Sequence, residues 1–387
     1  MRLSDRLSQI SPSATLKITA AAKELAKEGK RIINFAAGEP DFPTPSHIKE
    51  AAKKAIDSNF TKYTPSSGTL ELKEAICRKL QTENNLSFDV SQILVSCGAK
   101  HSLFNAILAI VNPGDEVLIP TPYWVSYPEM VRVAQGCPKF IKTTKENNFK
   151  VTKEDLKKVI SRKTKLLILN SPCNPTGTLY KEEELADLAH QIIDSNIFVI
   201  SDEIYEKIIY DGLKFSSIAC LGQRIKDLTI LVNGVSKTYS MTGWRIGYLA
   251  ADKSIVKAAT NLQSHSTSNP CSISQKAALA AIEADQGFIK DIVNEFGRRR
   301  DYLLGALGNT ILKPIKPEGA FYIFCDISKT NLDSITFCER LLNEAGVAIV
   351  PGAAFGMDNF VRISFACSFE DIREGMKKIE NWIDKLK

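Results

Sequence analysis

The sequence predicts an α/β protein: a buried, mostly parallel sheet flanked by helices, joined to a smaller α+β unit. Short apolar runs recur at 93–96 "ILVS", 116–119 "EVLI", 166–170 "LLILN", 197–201 "IFVIS" and 229–232 "TILV". Amphipathic stretches separate them, such as "KEEELADLAHQIIDSN" at 181–196 with its acids in the first turn. Strands that are apolar almost throughout read as buried on both faces, and strand–helix alternation reads as a parallel sheet. From about residue 290 the pattern changes to a long charged helix followed by "GAFYIFCDI", "GVAIVPG" and "FVRISFA" with helices between them. Residues 1–40 supply one helix and an extended entry that joins this second unit.

The chain of 387 residues is long enough for two domains and a large core. Its net charge of +6, from 50 basic and 44 acidic residues, is spread along the sequence, which predicts no nucleic-acid footprint. The densest basic run, "GRRRD" at 297–301, reads as the solvated face of a helix. The first 26 residues lack the apolar core of a signal peptide, and no apolar run approaches the ~20 residues of a membrane span. Nine scattered cysteines without a C-x-x-C pair, and four histidines without H-x-x-x-H spacing, predict neither a disulfide framework nor a metal site. These features predict a cytoplasmic protein that binds no metal, nucleic acid or membrane.

In an open α/β sheet, ligands sit beyond the carboxyl ends of the strands, so the residues after each strand are the candidates. After "ILVS" come Gly98, Ala99 and Lys100, opening a helix whose free N–H groups suit an anion such as phosphate. After "EVLI", Tyr123 and Trp124 lie in a proline-bounded loop, placed either to stack on a planar ligand or to pack in the core. After "LLILN", the loop "SPCNPTG" holds Asn174 between two prolines. After "IFVIS" come Asp202 and Tyr205; a carboxylate at a buried strand end needs a partner, structural or a cationic ring nitrogen. After "TILV" come Ser236, Lys237 and Arg245, and a desolvated lysine is a nucleophile for aldehydes. A planar, phosphorylated, aldehyde-bearing pyridine would use all of these groups, and pyridoxal 5′-phosphate is that cofactor.

"SPCNPTG", "SDEIYE" and "VSKTYSMTGWRIGY" resemble, in order and spacing, the motifs of the class I/II aminotransferases of the fold type I pyridoxal-phosphate family. "AAGEPDFPTP", "KYTPSSGTLELKEAI" and "FVRISFA" extend the resemblance over nearly the whole chain. It implies a seven-stranded sheet in a large domain at 41–289, with 1–40 belonging to a small α+β domain at 290–387. It also implies that Lys237 carries the cofactor as a Schiff base and moves the proton at the substrate Cα. By the same resemblance Asp202 pairs with the ring nitrogen, Tyr205 and Asn174 bind the ring hydroxyl, and Trp124 stacks on the ring. Gly98, Ala99, Ser236 and Arg245 would hold the phosphate, with Tyr63 reaching it from the neighbouring subunit of a homodimer. Arg362 and the backbone at Gly38 would take the substrate α-carboxylate, the arginine through a bidentate pair.

Fold alone does not select the reaction or substrate. The bacterial branch of aspartate aminotransferases is the one this sequence resembles most. There Lys100 and Thr15 would meet the distal carboxylate of a dicarboxylic amino acid or 2-oxo acid. Lys100 sits against the helix dipole, a small cost consistent with a purpose. The expected reaction is aspartate plus 2-oxoglutarate giving oxaloacetate plus glutamate. Position 173 is Cys where such relatives commonly carry Asn, and position 11 is Ser where prephenate-accepting relatives carry a basic residue. The rivals are an aromatic or broad-specificity aminotransferase, a C–S β-lyase, and a non-enzymatic regulator. Such regulators carry an N-terminal DNA-binding domain, whereas about 35 residues precede "AAGEP" here.

Overall fold

The computed structural model describes residues 4, 8–12 and 14–386, with the side chains of 14–17 excepted. An N-terminal helix, Ala14–Lys27, leads into the short strand β1 (Ile33–Asn34). The large sheet has seven strands: β2 (Ile93–Ser96), β3 (Glu116–Thr121), β4 (Cys137–Lys142), β5 (Thr164–Asn170), β6 (Phe198–Asp202), β7 (Thr229–Gly234) and β8 (Gly247–Ala250). Their spatial order is β2-β8-β7-β6-β5-β3-β4. Only β8 runs against the rest, pairing antiparallel with both β2 and β7.

The five apolar runs all become strands, and each strand has both faces covered. Val117, Ile119, Ile168 and Ile200 join one apolar cluster, while Leu118, Leu167, Leu169 and Val199 join another on the opposite side. This period-two split explains why the sequence reads as nearly unbroken apolar runs. Burying each such side chain stabilises the fold by roughly 1.5–3 kcal/mol.

Two strands of this sheet had no expected counterpart in the sequence. β4, "CPKFIK", is an edge strand carrying Pro138 and two lysines, residues that protect an edge and blur an apolar pattern. β8, "GYLA", is four residues long and begins with a glycine. Gly247 is required there because a Cβ would run into the backbone of Gly98 and Ala99.

The second sheet has four antiparallel strands: β9 (Lys313–Ile315), β10 (Tyr322–Asp326), β12 (Val350–Pro351) and β13 (Phe360–Ser364), in the order β12-β13-β10-β9. A separate short strand, β11 (Val347–Ala348), pairs in parallel with β1, tying the N-terminal segment to this C-terminal region. The long helix Gly287–Gly308 and the C-terminal helix Phe369–Asp384 pack here around Phe296, Phe321, Phe337, Phe365 and Trp382.

The expectation of a solvated "GRRRD" face is wrong for two of its three arginines. Arg298 is exposed and pairs with Glu295, but Arg299 and Arg300 are only 5% and 2% exposed. Arg299 donates to Asp41 and Glu295, and Arg300 donates to Asp211. Each buried guanidinium is thus charge-paired, and each bonds across to a distant segment of chain. Consecutive helical residues point 100° apart, so a run of like charges need not share one face.

Candidate functional site

The carboxyl ends of β5, β6 and β7 open into a cavity of about 440 Å³, within the size range of small-molecule sites. Its wall includes Gly38, Ala99, Lys100, Trp124, Asn174, Asp202, Tyr205, Ser236, Lys237, Arg245 and Arg362, brought together from across more than 320 residues of sequence. Gly98 stands behind the wall, against the Arg245 guanidinium. Tyr63 does not line the cavity of its own chain and is 93% exposed. The side chain of Thr15 lies outside the described residues, although its backbone belongs to the helix Ala14–Lys27. Thr19 and Lys23, one and two turns further along that helix, do line the cavity.

Lys237 follows β7 on a turn, and its Nζ donates to the Gly38 carbonyl. Burial draws its pKa down to about 8 against the upward pull of Glu39, and the charges of Arg362 and Arg245 assist. A substantial fraction of this amine is therefore neutral near physiological pH.

Asp202 ends β6, one residue beyond the run that the sequence marks as apolar. Its Oδ2 accepts a 2.6 Å bond from the Tyr127 hydroxyl, and burial raises its pKa to about 6 despite that bond. A carboxylate so desolvated has lost hydration that one phenol and one 3.3 Å bond from the Ile204 backbone to Oδ1 do not replace. It suits a cationic partner.

Gly98 caps the helix Ala99–Ile110 with φ +88°, a conformation that favours glycine. Arg245 is itself left-handed at φ +57°; its Nη1 donates to the Thr242 carbonyl at 2.7 Å and Nη2 to that of Cys97 at 3.3 Å. A helix N-terminus, a guanidinium and the buried Ser236 thus face one corner of the cavity, a donor set for a dianion.

Trp124 meets Tyr127 edge-on at 5.4 Å, and the Lys100 ammonium lies 4.8 Å from the Trp124 ring centroid. Burial and the nearby Arg245 charge lower the pKa of Lys100. Opposite, Arg362 on β13 is 3% exposed. It donates from Nη1 to Asn174 Oδ1 at 3.0 Å and from Nη2 to the Ala36 carbonyl at 2.9 Å. Its Nε is buried and has no hydrogen-bond partner among the described residues. An unmatched buried donor on a charged group is costly and is the kind of group a bound carboxylate satisfies.

Sequence reasoning missed Tyr127, Asn170 and Tyr322. Asn170 Oδ1 accepts from the Asn174 backbone and its Nδ2 donates to the Asp202 carbonyl, so it fixes the loop to the strand. Tyr322 stacks below Arg362 and its hydroxyl lies 2.9 Å from that of Tyr205. Buried phenols resemble core aromatics in a sequence; only the partners of their hydroxyls mark them out.

Among the described residues, no cluster of His, Cys, Asp and Glu could hold a metal ion, and no helix is long and apolar enough to cross a membrane.

Comparison with known proteins is consistent with this geometry. The family described as "Aminotransferase class I and II" matches residues 30–379. The chain is 46% identical to the aspartate aminotransferase of Bacillus subtilis, over 100% of both chains. It is 48% identical to a probable aspartate/prephenate aminotransferase of Rickettsia bellii, covering 98% of each. Among solved structures, it is similar to the Thermus thermophilus aspartate aminotransferase with maleate, at a TM-score of 0.95 and 42% identity over 98% of this chain and 100% of that one. The Rhizobium meliloti aspartate aminotransferase gives a TM-score of 0.96 at 41% identity, with 99% of each chain covered.

Proposed function

The chain belongs to the class I and II aminotransferase family, and from that premise we propose that it is a pyridoxal-phosphate-dependent aspartate aminotransferase, moving the amino group of L-aspartate to 2-oxoglutarate. The observation that carries the cofactor reading is the donor set: an anion cradle at Gly98–Arg245, an under-solvated Asp202 carboxylate and a partly neutral Lys237 amine in one cavity. These residues fit a phosphorylated pyridine aldehyde. When bound, pyridoxal phosphate supplies an aldehyde that takes up the amino group and a ring that accepts the electron pair left at Cα.

Each residue then has a physical task. Lys237 Nζ would hold the cofactor through its aldehyde carbon and would be the base that removes and returns the Cα proton. Asp202, held by Tyr127, keeps a proton on the ring nitrogen by charge pairing. Tyr205 and the Asn174 amide bind the ring hydroxyl, and Trp124 covers the ring face. Gly98, Ala99, Ser236 and Arg245 hold the phosphate. Arg362 takes the α-carboxylate, with its Nε, unpartnered among the described residues, as a ready donor and Gly38 alongside.

Lys100, with Thr15 from the N-terminal helix, would take the distal carboxylate. The placement of Lys100 across Trp124 in the cavity wall supports this role. The relatives named for both aspartate and prephenate raise a wider range. Ser11, whose backbone N–H donates to Glu129, presents an uncharged side chain at the position where a basic residue would support prephenate. The reading also includes a cytoplasmic homodimer in which the exposed Tyr63 reaches the other subunit's phosphate. It further includes a large domain at 41–289 and a small one formed by 1–40 with 290–387.

The test is specificity in the wild type and in Lys100→Ala. With 2-oxoglutarate as acceptor, the wild type should favour aspartate over phenylalanine, and the substitution should lower kcat/KM for aspartate by roughly 30-fold, the loss of about 2 kcal/mol from a partly buried charge pair. Phenylalanine should change little. A preference for phenylalanine that ignores Lys100 would support the aromatic alternative. Release of pyruvate and ammonia from cystathionine would support the β-lyase.

A further inference from the structure

Tyr322 reaches the cavity from β10, on the sheet opposite Lys237, and is 1% exposed. Its neighbours fix the ring closely. On β10 and β13 Tyr322 pairs with Ser364 and Phe324 with Arg362, so Tyr322 and Arg362 are diagonal neighbours on one face. The Arg362 guanidinium lies 4.3 Å from the Tyr322 ring centroid, and the Tyr205 ring meets Tyr322 edge-on at 5.9 Å. Packing alone would be met by phenylalanine. The hydroxyl, however, makes one hydrogen bond among the described residues, 2.9 Å to the Tyr205 hydroxyl.

A phenol has one proton to give and two lone pairs to receive. If Tyr205 gives its proton to the cofactor's ring hydroxyl, the bond between the two tyrosines must be donated by Tyr322. We propose that Tyr322 is a positioning residue: by donating to Tyr205 it fixes that hydroxyl and strengthens it as a donor to the ring oxygen of pyridoxal phosphate. This rests on the cofactor reading above. Donors in series polarise one another, so the second phenol makes the first a stronger acid and a better donor. Two sheets thereby meet at one atom, with Tyr205 following β6 and Tyr322 on β10.

The other charges facing this pair are Asp202 at the end of β6, Arg362 on β13 and Glu39 in the loop after β1; Lys237 Nζ lies 5.8 Å from the Tyr205 ring centroid. Tyr322→Phe leaves all of them in place. Substitution by phenylalanine removes one oxygen and keeps the ring, so packing under Arg362 is retained.

The experiment is a pH titration of the visible absorbance of the substrate-free holoenzyme, reconstituted with pyridoxal phosphate, for the wild type, Tyr205→Phe, Tyr322→Phe and the double variant. Stabilising the ionised ring oxygen lowers the pH at which the chromophore loses its proton, so weakening that donor raises the midpoint. Tyr205→Phe should raise it most. Tyr322→Phe should raise it by roughly half a pH unit, the size of an indirect hydrogen-bond effect. The double variant should match Tyr205→Phe alone, because Tyr322 acts through Tyr205. A holoenzyme in which Tyr322→Phe leaves the midpoint unmoved, or in which the two shifts add, overturns the inference while the cofactor reading stands. A wild-type chain that takes up no pyridoxal phosphate overturns that reading and the inference together.

Discussion

Replacing Asp202 by Asn should make the cofactor-free protein more stable at neutral pH while impairing its function. The folded state raises the Asp202 pKa from 3.8 to about 6. Between those values the native protein holds a proton that the unfolded chain has released, so native stability falls as pH rises from about 4 to about 6. The shift corresponds to at most about 3 kcal/mol of lost stability above pH 6, at 1.36 kcal/mol per unit. Asn removes the ionisation but keeps an oxygen for the Tyr127 hydroxyl, which now donates to Asp202 at 2.6 Å. It also puts an amide where Asp202 Oδ1 accepts from the Ile204 backbone at 3.3 Å, which removes part of the gain. A net stabilisation of about 1–2 kcal/mol, or a rise in Tm of roughly 1–3 °C for a chain of 387 residues, is expected for the cofactor-free variant at pH 7.5. The advantage should fade as pH falls from 6 to 4. Pyridoxal phosphate should reverse the order, because its ring cation relieves the wild-type carboxylate and does nothing for the amide. Thermal denaturation with and without cofactor at pH 4.5 and 7.5 checks all of this. A cofactor-free Asn variant that melts below the wild type at pH 7.5 would refute the assignment of Asp202 as a carboxylate strained for lack of a cation.

Three further outcomes follow from the same geometry. Because burial lowers the Lys237 pKa to about 8, uptake of pyridoxal phosphate by the cofactor-free protein should accelerate as pH rises through 8, as the neutral amine accumulates; stopped-flow absorbance showing acceleration only toward pH 10 would contradict this. Gly98→Ala places a Cβ against the Arg245 guanidinium at a backbone φ of +88°. At roughly 1–2 kcal/mol of strain it should weaken cofactor binding about tenfold, measured as the Kd by fluorescence titration. Arg362→Ala removes two or more charge-assisted hydrogen bonds to the α-carboxylate and should lower kcat/KM roughly 10³-fold for every amino-acid substrate. Lys100→Ala, by contrast, should affect dicarboxylates alone.

The α/β architecture was legible because β2, β3, β5, β6 and β7 are covered on both faces, which leaves apolar runs in the sequence. Edge strand β4 and the antiparallel β8 were not, since solvent exposure in one and the opening glycine of "GYLA" in the other weaken the apolar pattern. The candidate residues at strand ends were legible because a polar group in a buried place is conspicuous: Asp202 ends β6, and Asn174 and Lys237 closely follow β5 and β7. Tyr127 and Tyr322 were not, because a phenol among apolar residues looks like core until its hydroxyl is located. The arginines of "GRRRD" misled for the converse reason: charge in a sequence suggests solvent, whereas Arg299 and Arg300 are buried against Asp41 and Asp211 from distant parts of the chain, with Glu295 one helical turn away as a further partner of Arg299. Long-range ion pairs of this kind leave no local signal.

The most direct measurement is the absorbance of the reconstituted holoenzyme when aspartate alone is added, for the wild type and for Lys237→Ala. The wild-type chromophore should be lost rapidly with release of one equivalent of oxaloacetate and recover on adding 2-oxoglutarate, with neither change at a comparable rate in the variant. A wild-type chromophore that persists with aspartate, or a Lys237→Ala variant that responds as fast as the wild type, would contradict it.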